Sequence, residues 1–271
     1  MGHRLGGGGG RRGAAAQGPP LNEDLELAER AARAAGRVLL GYFGRPPEGV
    51  DTKSSRTDLV SDADREAERA IEDVLAAERP DDGLLAEEGS RSPATSGRRW
   101  VVDPLDGTVN FLYGVPFWGV SVALEDQDGV AAGVVHDPLH DETFRAARGQ
   151  GADLDGIPME VRDRRELRTA LVATGFSYDA ERRAAQAGVV ARLLPQVRDI
   201  RRAGAAALDL AWVAAGRTDA FYEHGLSPWD WAAGRLLVEE AGGAATALPG
   251  DPPGQAAAST PELLQALAAQ L

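Results

Sequence analysis

The chain contains no cysteine in its 271 residues. Disulfides and thiolate chemistry are therefore excluded, and the redox compartment leaves no trace in the sequence. Lysine is nearly absent too, with Lys53 as its only instance. Such a composition suggests a coding bias that replaced lysine wherever it was tolerated. The lone survivor is either an accident or the mark of a site that needs a compact ammonium rather than a planar guanidinium. Positive charge is in deficit: 29 Lys and Arg stand against 42 Asp and Glu, a formal charge of −13. This balance argues against nucleic acid or an anionic membrane as a surface partner. It leaves an anionic substrate open, because a bound cation inverts the local field. No apolar run approaches the roughly 20 residues that a bilayer-spanning helix needs, and no internal repeat is visible. Residues 1–20 hold a run of glycines, Arg11-Arg12 and Pro19-Pro20. No apolar stretch follows the arginine pair, so this segment reads as a disordered tail rather than an export signal. A cytoplasmic protein is the expectation.

What is present is enough apolar material for a substantial core, in one two-lobed domain or two small ones. Asn22 is a candidate cap for a helix to about Tyr42, with Leu25, Ala28, Ala32, Ala35, Leu39 and Tyr42 on one face and Gly44 ending it before Pro46. A second helix starts at Ser61 and stops before Pro80, with Ala67, Ala70, Ile71, Val74 and Leu75 as its apolar face. Strand signals follow at Trp100–Val102, Phe117–Leu124, Val130–Val135 and Thr143–Ala147, with Asp126-Gln127-Asp128-Gly129 as a hairpin turn. Strands joined by hairpins favour an antiparallel sheet. Beyond about residue 155 the pattern changes. Leu171–Thr174 and Ala220–Tyr222 read as strands, 205–215 and 229–241 as helices, and Thr260-Pro261 opens a last helix. Sheets flanked by helices suit a layered α/β architecture.

The most informative stretch runs from Trp100 to Phe111. A β-branched run ends in Asp103-Pro104-Leu105-Asp106-Gly107-Thr108. Pro104 makes a regular helix unlikely here and Gly107 turns the chain, so the strand is expected to stop, leaving Asp103 and Asp106 on a tight bend. Two carboxylates that close repel unless something positive lies between them, and a hard divalent cation suits oxygen ligands. Asp-Pro and Asp-Gly are also ordinary turn dipeptides. Further acids appear at comparable places: Glu87-Glu88 after the apolar run from Gly83, and Asp230 at a helix start after Ser227-Pro228-Trp229.

Asp103 to Thr108 with Asn110-Phe111 resembles the first signature of the inositol monophosphatase family. Trp229-Asp230 with Ala232-Ala233-Gly234, and later Glu240-Ala241-Gly242-Gly243, resembles the second. Glu87-Glu88 falls where that family carries its metal-binding glutamate pair. The likeness covers about residues 21 to 250, and its two long, ordered signatures are jointly specific. It implies a five-layer αβαβα sandwich: an α/β (α+β) fold with an antiparallel N-terminal sheet and a smaller C-terminal α/β lobe. The expected division is a tail at 1–20 and one domain at 21–271, its lobes meeting at about 154/155.

The resemblance also implies roles. Asp103 would bridge two Mg²⁺ ions, Glu87 and the Leu105 carbonyl completing the first and Asp106 and Asp230 the second. A third, weaker Mg²⁺ would again use Glu87. Glu88 would be an outer contact or merely a surface carboxylate. Paired metals about 4 Å apart activate water and stabilise a leaving oxygen, which is what a slow phosphate-ester hydrolysis needs. Asp64 would pair with Thr108 to orient that water, making Asp64, Thr108 and Glu87 the catalytic set. Ser61-x-x-Asp64 and Ser227-x-x-Asp230 also read as capping boxes with Asp in place of Glu, and both roles can coexist. The Gly107 and Thr108 amides would hold phosphate oxygens. Gly204-Ala205-Ala206, Glu223, Asp230 and Lys53 would face the substrate, with Glu223 accepting a ring hydroxyl; otherwise Glu223 is a loop carboxylate. His3, His136, His140 and His224 lack ligand spacing and read as incidental.

The reading is a Mg²⁺-dependent phosphate monoester hydrolase for inositol 1-phosphate. Fructose 1,6-bisphosphate, histidinol phosphate and 3′-phosphoadenosine 5′-phosphate are rival substrates within the fold. The expected partner is a small phosphorylated polyol, with no nucleic acid or membrane, and the family implies a homodimer and sensitivity to lithium. A metal-dependent nuclease would want a basic stripe, which is missing. A non-catalytic relative would show broken ligands, whereas each matched position keeps its carboxylate.

Overall fold

The computed structural model describes residues 21–45, 49–52 and 59–271. The tail at 1–20, Lys53 and Thr57-Asp58 lie outside the described residues. Helix α1 (Leu21–Tyr42) already includes Asn22 in its first turn, so Asn22 does not cap it. Its face is built largely from alanine, with Leu27, Ala28, Ala31, Ala32, Ala35 and Leu39 fully buried. Short side chains let α1 lie close against its neighbours. The helix gives way to Gly44 in a left-handed conformation, as the sequence suggested. A short hairpin, β1 (Asp51–Thr52) with β2 (Leu59–Val60), leads to α2 (Asp62–Glu78). Ser61 and Asp64 form the reciprocal capping box at its start.

An eight-stranded sheet follows. It comprises β3 (Gly83–Ala86), β4 (Arg91–Ser92), β5 (Arg99–Asp106), β6 (Gly119–Asp126), β7 (Gly129–Asp137), β8 (Glu142–Ala147), β9 (Ala152–Leu154) and β10 (Ile157–Pro158), with α3 (Thr108–Leu112) between β5 and β6. From β5 to β10 the strands are antiparallel neighbours in chain order. At the other edge β3 pairs with β5 in parallel, the one departure from the antiparallel pattern in this sheet among the described residues. The cause is the β3–β4 hairpin, which folds outward, so the chain returns past β3 before entering β5. Alternation along the strands serves two cores. Trp100, Val102, Val120, Val122, Leu124 and Val134 face α1 and α2. Val101, Ala123, Val135 and Phe144 face the other way.

β5 corrects a second expectation. It does not stop at Asp103 but runs through Pro104 to Asp106. Asp103 pairs with Ser121 and Asp106 with Gly119, so three steps on β5 pass two on β6. The extra residue is a β-bulge, and a bulge is where a strand tolerates a residue with no N–H to donate. Both aspartates therefore sit on a rigid strand rather than on a free bend.

The second half holds β11 (Leu171–Thr174), α4 (Ala180–Leu193), β12 (Asp199–Arg201), α5 (Ala206–Ala214), β13 (Ala220–His224), α6 (Pro228–Glu240), β14 (Ala244–Leu248), β15 (Gly254–Ala258) and α7 (Pro261–Ala268). Its five strands run in the order β12-β11-β13-β15-β14. The first three are parallel and the last two join antiparallel. α5 and α6 fill the space between the two sheets, with Leu208, Leu210, Val213, Leu236 and Leu237 in one core with Phe144 and Phe221. α4 and α7 cover the outer face, where Leu193, Leu263 and Leu267 pack on Val172, Ala220 and Ala256. The layers are helix, sheet, helix, sheet, helix.

Candidate active site

The end of β5 and the carboxyl ends of β11, β12 and β13 open onto a single cleft of about 930 Å³. Strand carboxyl ends are the usual place for a ligand in such sheets. Glu87, Asp103, Leu105, Asp106, Gly107 and Thr108 line one side of it. Gly175, Arg202, Gly204, Ala206, Glu223 and Asp230 are brought to it from the second half of the chain.

Among the described residues, Asp103, Asp106 and Asp230 form no ion pair. Burial pushes the Asp103 carboxyl well above its ordinary range, and the charges of Glu87, Asp106 and Asp230 push further the same way. Burial likewise raises Asp230, with Glu87 and Asp106 adding to it. Burial takes Asp106 up to about 7, against the pull of the Ala207 N–H, which donates to its Oδ2 at 2.7 Å. That bond ties Asp106 to the first turn of α5, whose partial positive charge favours the ionised form. Asp103 Oδ1 accepts the Leu105 N–H at 2.9 Å. Among the described residues no three acidic or imidazole side chains are already closed into a metal-ligand cluster. The donor set fits a hard divalent cation: oxygen atoms, largely sequestered from solvent and converging from separate segments.

The two readings of Asp64 coexist. Its Oδ2 accepts the Ser61 N–H at 2.8 Å as a helix cap. The Thr108 hydroxyl lies 3.1 Å from its Oδ1 and 3.2 Å from the Leu105 carbonyl, with one proton to give to either. Asp230 is double too, since its Oδ2 accepts the Ser227 N–H at 2.6 Å while the side chain lines the cleft. Gly107 adopts φ 91°, and a Cβ there would lie 3.1 Å from the Phe117 carbonyl. Only glycine turns the chain at this point without crowding Phe117, Trp118 and Ala205. The Asn110 amide donates to the carbonyls of Phe117 and Ala203, at 2.7 and 2.9 Å, and so joins the two walls.

Glu223 is pushed up to about 8 by burial, with Arg202 opposing and Asp106 adding. Of the expected small residues, Gly204 and Ala206 line the cleft. Ala205 does not: it is buried against Gly107. Glu88 stands off the cleft, and Lys53 lies outside the described residues. His136 is buried with Nδ1 3.1 Å from the Thr143 hydroxyl, and His140 Nδ1 is 2.8 Å from Asp137. Both are structural. His224, expected to be incidental, lines the cleft.

Sequence reasoning missed Glu68, Gly175 and Arg202. The buried Glu68 carboxylate accepts the N–H groups of Glu88 and Ser90, at 2.7 and 3.0 Å, and so fixes the turn that carries Glu87. Nothing local in a helix sequence marks such a tertiary anchor. Gly175 had only the generic signal of a glycine after an apolar run, and Arg202 was one arginine among many.

A five-layer αβαβα sandwich whose sheets open onto a shared acidic cleft is the class that this fold and site define. The chain belongs to the inositol monophosphatase family, whose model matches residues 21–271. It is 41% identical over 221 residues to the Nus factor SuhB of Escherichia coli K12, covering 81% of this chain and 83% of that one. Its structure is similar to that of the extragenic suppressor protein suhB of Bartonella henselae, with a TM-score of 0.86, 40% identity and coverage of 92% and 98%. An IMPase of Thermotoga maritima gives 0.82, 32% identity and coverage of 92% and 96%.

Proposed function

We propose that the protein is a Mg²⁺-dependent phosphate monoester hydrolase acting on inositol 1-phosphate. The observation that carries this is the convergence of Glu87, Asp103, Asp106 and Asp230 on one cleft beside the Asp64–Thr108 pair. Asp103, Glu87 and the Leu105 carbonyl would hold one Mg²⁺, and Asp103, Asp106 and Asp230 a second, with Glu87 contributing to a weaker third. Bound there, Mg²⁺ supplies the positive charge that acidifies a water and offsets the charge of the phosphoryl group. Thr108 and Asp64 orient the attacking water. The Gly107 and Thr108 amides hold phosphate oxygens, and Lys53 would add a positive charge for the substrate. Glu223 accepts hydroxyls of the polyol, with Gly204 and Ala206 giving the ring room.

Fructose 1,6-bisphosphate, histidinol phosphate and 3′-phosphoadenosine 5′-phosphate remain the rival esters. Lithium inhibition, a homodimer, a cytoplasmic location and a surface that binds neither nucleic acid nor membrane belong to the same proposal. The charge of −13 supports the last point. Among the described residues no helix is long and apolar enough to cross a membrane. Relatives named Nus factor SuhB favour a second role beside hydrolysis. The two separate cleanly, because Asp103→Asn removes hydrolysis and spares any role that does not use the cleft. The test is phosphate release from inositol 1-phosphate and the three rivals, with and without Mg²⁺ and with Li⁺ added. Release that needs Mg²⁺, falls with Li⁺ and is fastest on inositol 1-phosphate is expected. Release independent of Mg²⁺ overturns the metal assignment, and faster release from a rival overturns the substrate.

A further inference from the structure

Glu223 does not reach its place on its own strand's terms. It stands near the end of β13, and its carboxyl group leans across the neighbouring strand β11 to lie over Gly175. A Cβ built on Gly175 would fall within 2.2 Å of the Glu223 carboxyl carbon, far inside any contact distance. The backbone at Gly175 is outside the left-handed region, so an alanine suits its φ. The space above it is what glycine provides. On the far side, Arg202 follows β12, the other neighbour of β11, with its guanidinium against Gly204 and 5.8 Å from the centre of the Phe176 ring. Glycine thus leaves room for a charged head at the carboxyl ends of two adjacent strands. Asp209 lies beneath them, 2% exposed, with Oδ1 unpartnered in a side-chain hydrogen bond.

We propose that Gly175 determines the hydroxyl specificity of the cleft, because only a residue without a side chain lets the Glu223 carboxylate lie across the end of β11, facing Arg202 as its counter-charge. Gly175 is a positioning residue: it acts through Glu223 and touches no reacting atom. The inference rests on Glu223 as the acceptor of a polyol hydroxyl. Its geometric half, that alanine at position 175 excludes the Glu223 carboxylate, stands apart from any substrate.

A double-mutant cycle reads both halves. Gly175→Ala, Glu223→Ala and the double variant are compared by kcat/KM on inositol 1-phosphate relative to p-nitrophenyl phosphate, and by Tm. Gly175→Ala is expected to lower the ratio about tenfold or more, the size of a lost hydrogen bond to a charged group. In the Glu223→Ala background the same change should cost less than about twofold, because no carboxylate remains to displace. Tm should show the same pattern, with any change caused by Gly175→Ala larger alone than when Glu223 is already alanine. Should Gly175→Ala fail to fold, the double variant is expected to fold. Arg202→Met should lower the ratio as well, and Arg202→Lys should restore part of it. Equal Tm losses in both backgrounds, or a double variant that fails to fold, overturn the geometric half. A non-additive Tm with an unchanged ratio overturns Gly175 as a specificity position. A wild type that ignores inositol 1-phosphate sinks the substrate reading, while the Tm cycle still decides the geometry.

Discussion

Two acidic clusters in this molecule are built from the same residue types and behave in opposite ways. On the α1 side of the first sheet, Glu29 is 2.9 Å from Arg33 and 2.8 Å from Arg145, and Arg145 also reaches Asp153 at 2.9 Å. Burial opposes ionisation of Glu29, but the hydrogen bonds from Arg33 and Arg145 win and hold it below the usual carboxylate range. In the cleft, Asp103, Asp106 and Asp230 are raised by burial, and neighbouring acids raise them further. At Glu29 the chain offsets a half-buried carboxylate with two arginines. If Mg²⁺ binds in the cleft as proposed, that site leaves its charge for the ion, and the cost falls on the stability of the metal-free protein.

The largest effect expected from breaking this contrast is on catalysis. Asp103→Asn should reduce turnover by at least about three orders of magnitude. The fold should persist, because asparagine keeps the carbonyl oxygen that accepts the Leu105 N–H. Without metal the same variant should be more stable than wild type. An acid raised in the folded state lets the unfolded chain lose its proton first, so stability falls as pH rises above the ordinary value of 3.8. Asparagine removes that loss. Phosphate release and thermal melts in chelator check both signs, and a less stable metal-free Asp103→Asn contradicts the picture.

A smaller effect belongs to the substrate side. Glu223→Ala should lower kcat/KM for inositol 1-phosphate by one to two decades, as expected for a charged hydrogen bond of roughly 1.5–3 kcal/mol. The loss on p-nitrophenyl phosphate, which has no ring hydroxyl, should be smaller. Equal losses would move Glu223 into the support of the acidic cluster.

The smallest effect sharpens the other member of the pair. Glu29→Gln should cost only about 1 kcal/mol at neutral pH, since the ion pairs are partly exposed. The depressed Glu29 stabilises the fold above its unfolded value near 4.5 and loses that contribution as pH falls through its lower folded value. Melts from pH 6 to 3 should therefore show a shallower acid loss in Glu29→Gln than in wild type. A steeper loss would show that the arginines do not hold it.

How much of this could be read from sequence depended on whether the signal was local. Ser61, Pro80, Gly44 and Thr260-Pro261 announce helix ends through capping and backbone restriction, and the structure follows them. The signature at Asp103 to Thr108 and the acids at 87 and 230 led to the cleft residue by residue. What failed was long-range. Pro104 was expected to end a strand that continues because a bulge opposite β6 absorbs it. The parallel pairing of β3 depends on where β4 folds, which no window of sequence contains. α4 went unseen because its surface is mostly exposed, with Leu193 its only buried residue, so it lacks an apolar stripe. β15, Gly-Gln-Ala-Ala-Ala, has neither β-branched residues nor alternation to mark it as a strand. In the site, Glu68 holds the Glu87 turn through Glu88 and Ser90, 20 and 22 residues on, and Gly175 lies under Glu223, 48 residues on. Only the fold brings them together.

The proposed function requires the acids of the cleft to hold divalent cations. Calorimetric titration of Mg²⁺ into chelator-treated wild type and Asp103→Asn tests it most directly. Saturable binding to wild type with a matching rise in Tm, and loss of both in Asp103→Asn, is expected. Binding of equal strength to the two proteins, or none to wild type, would contradict it.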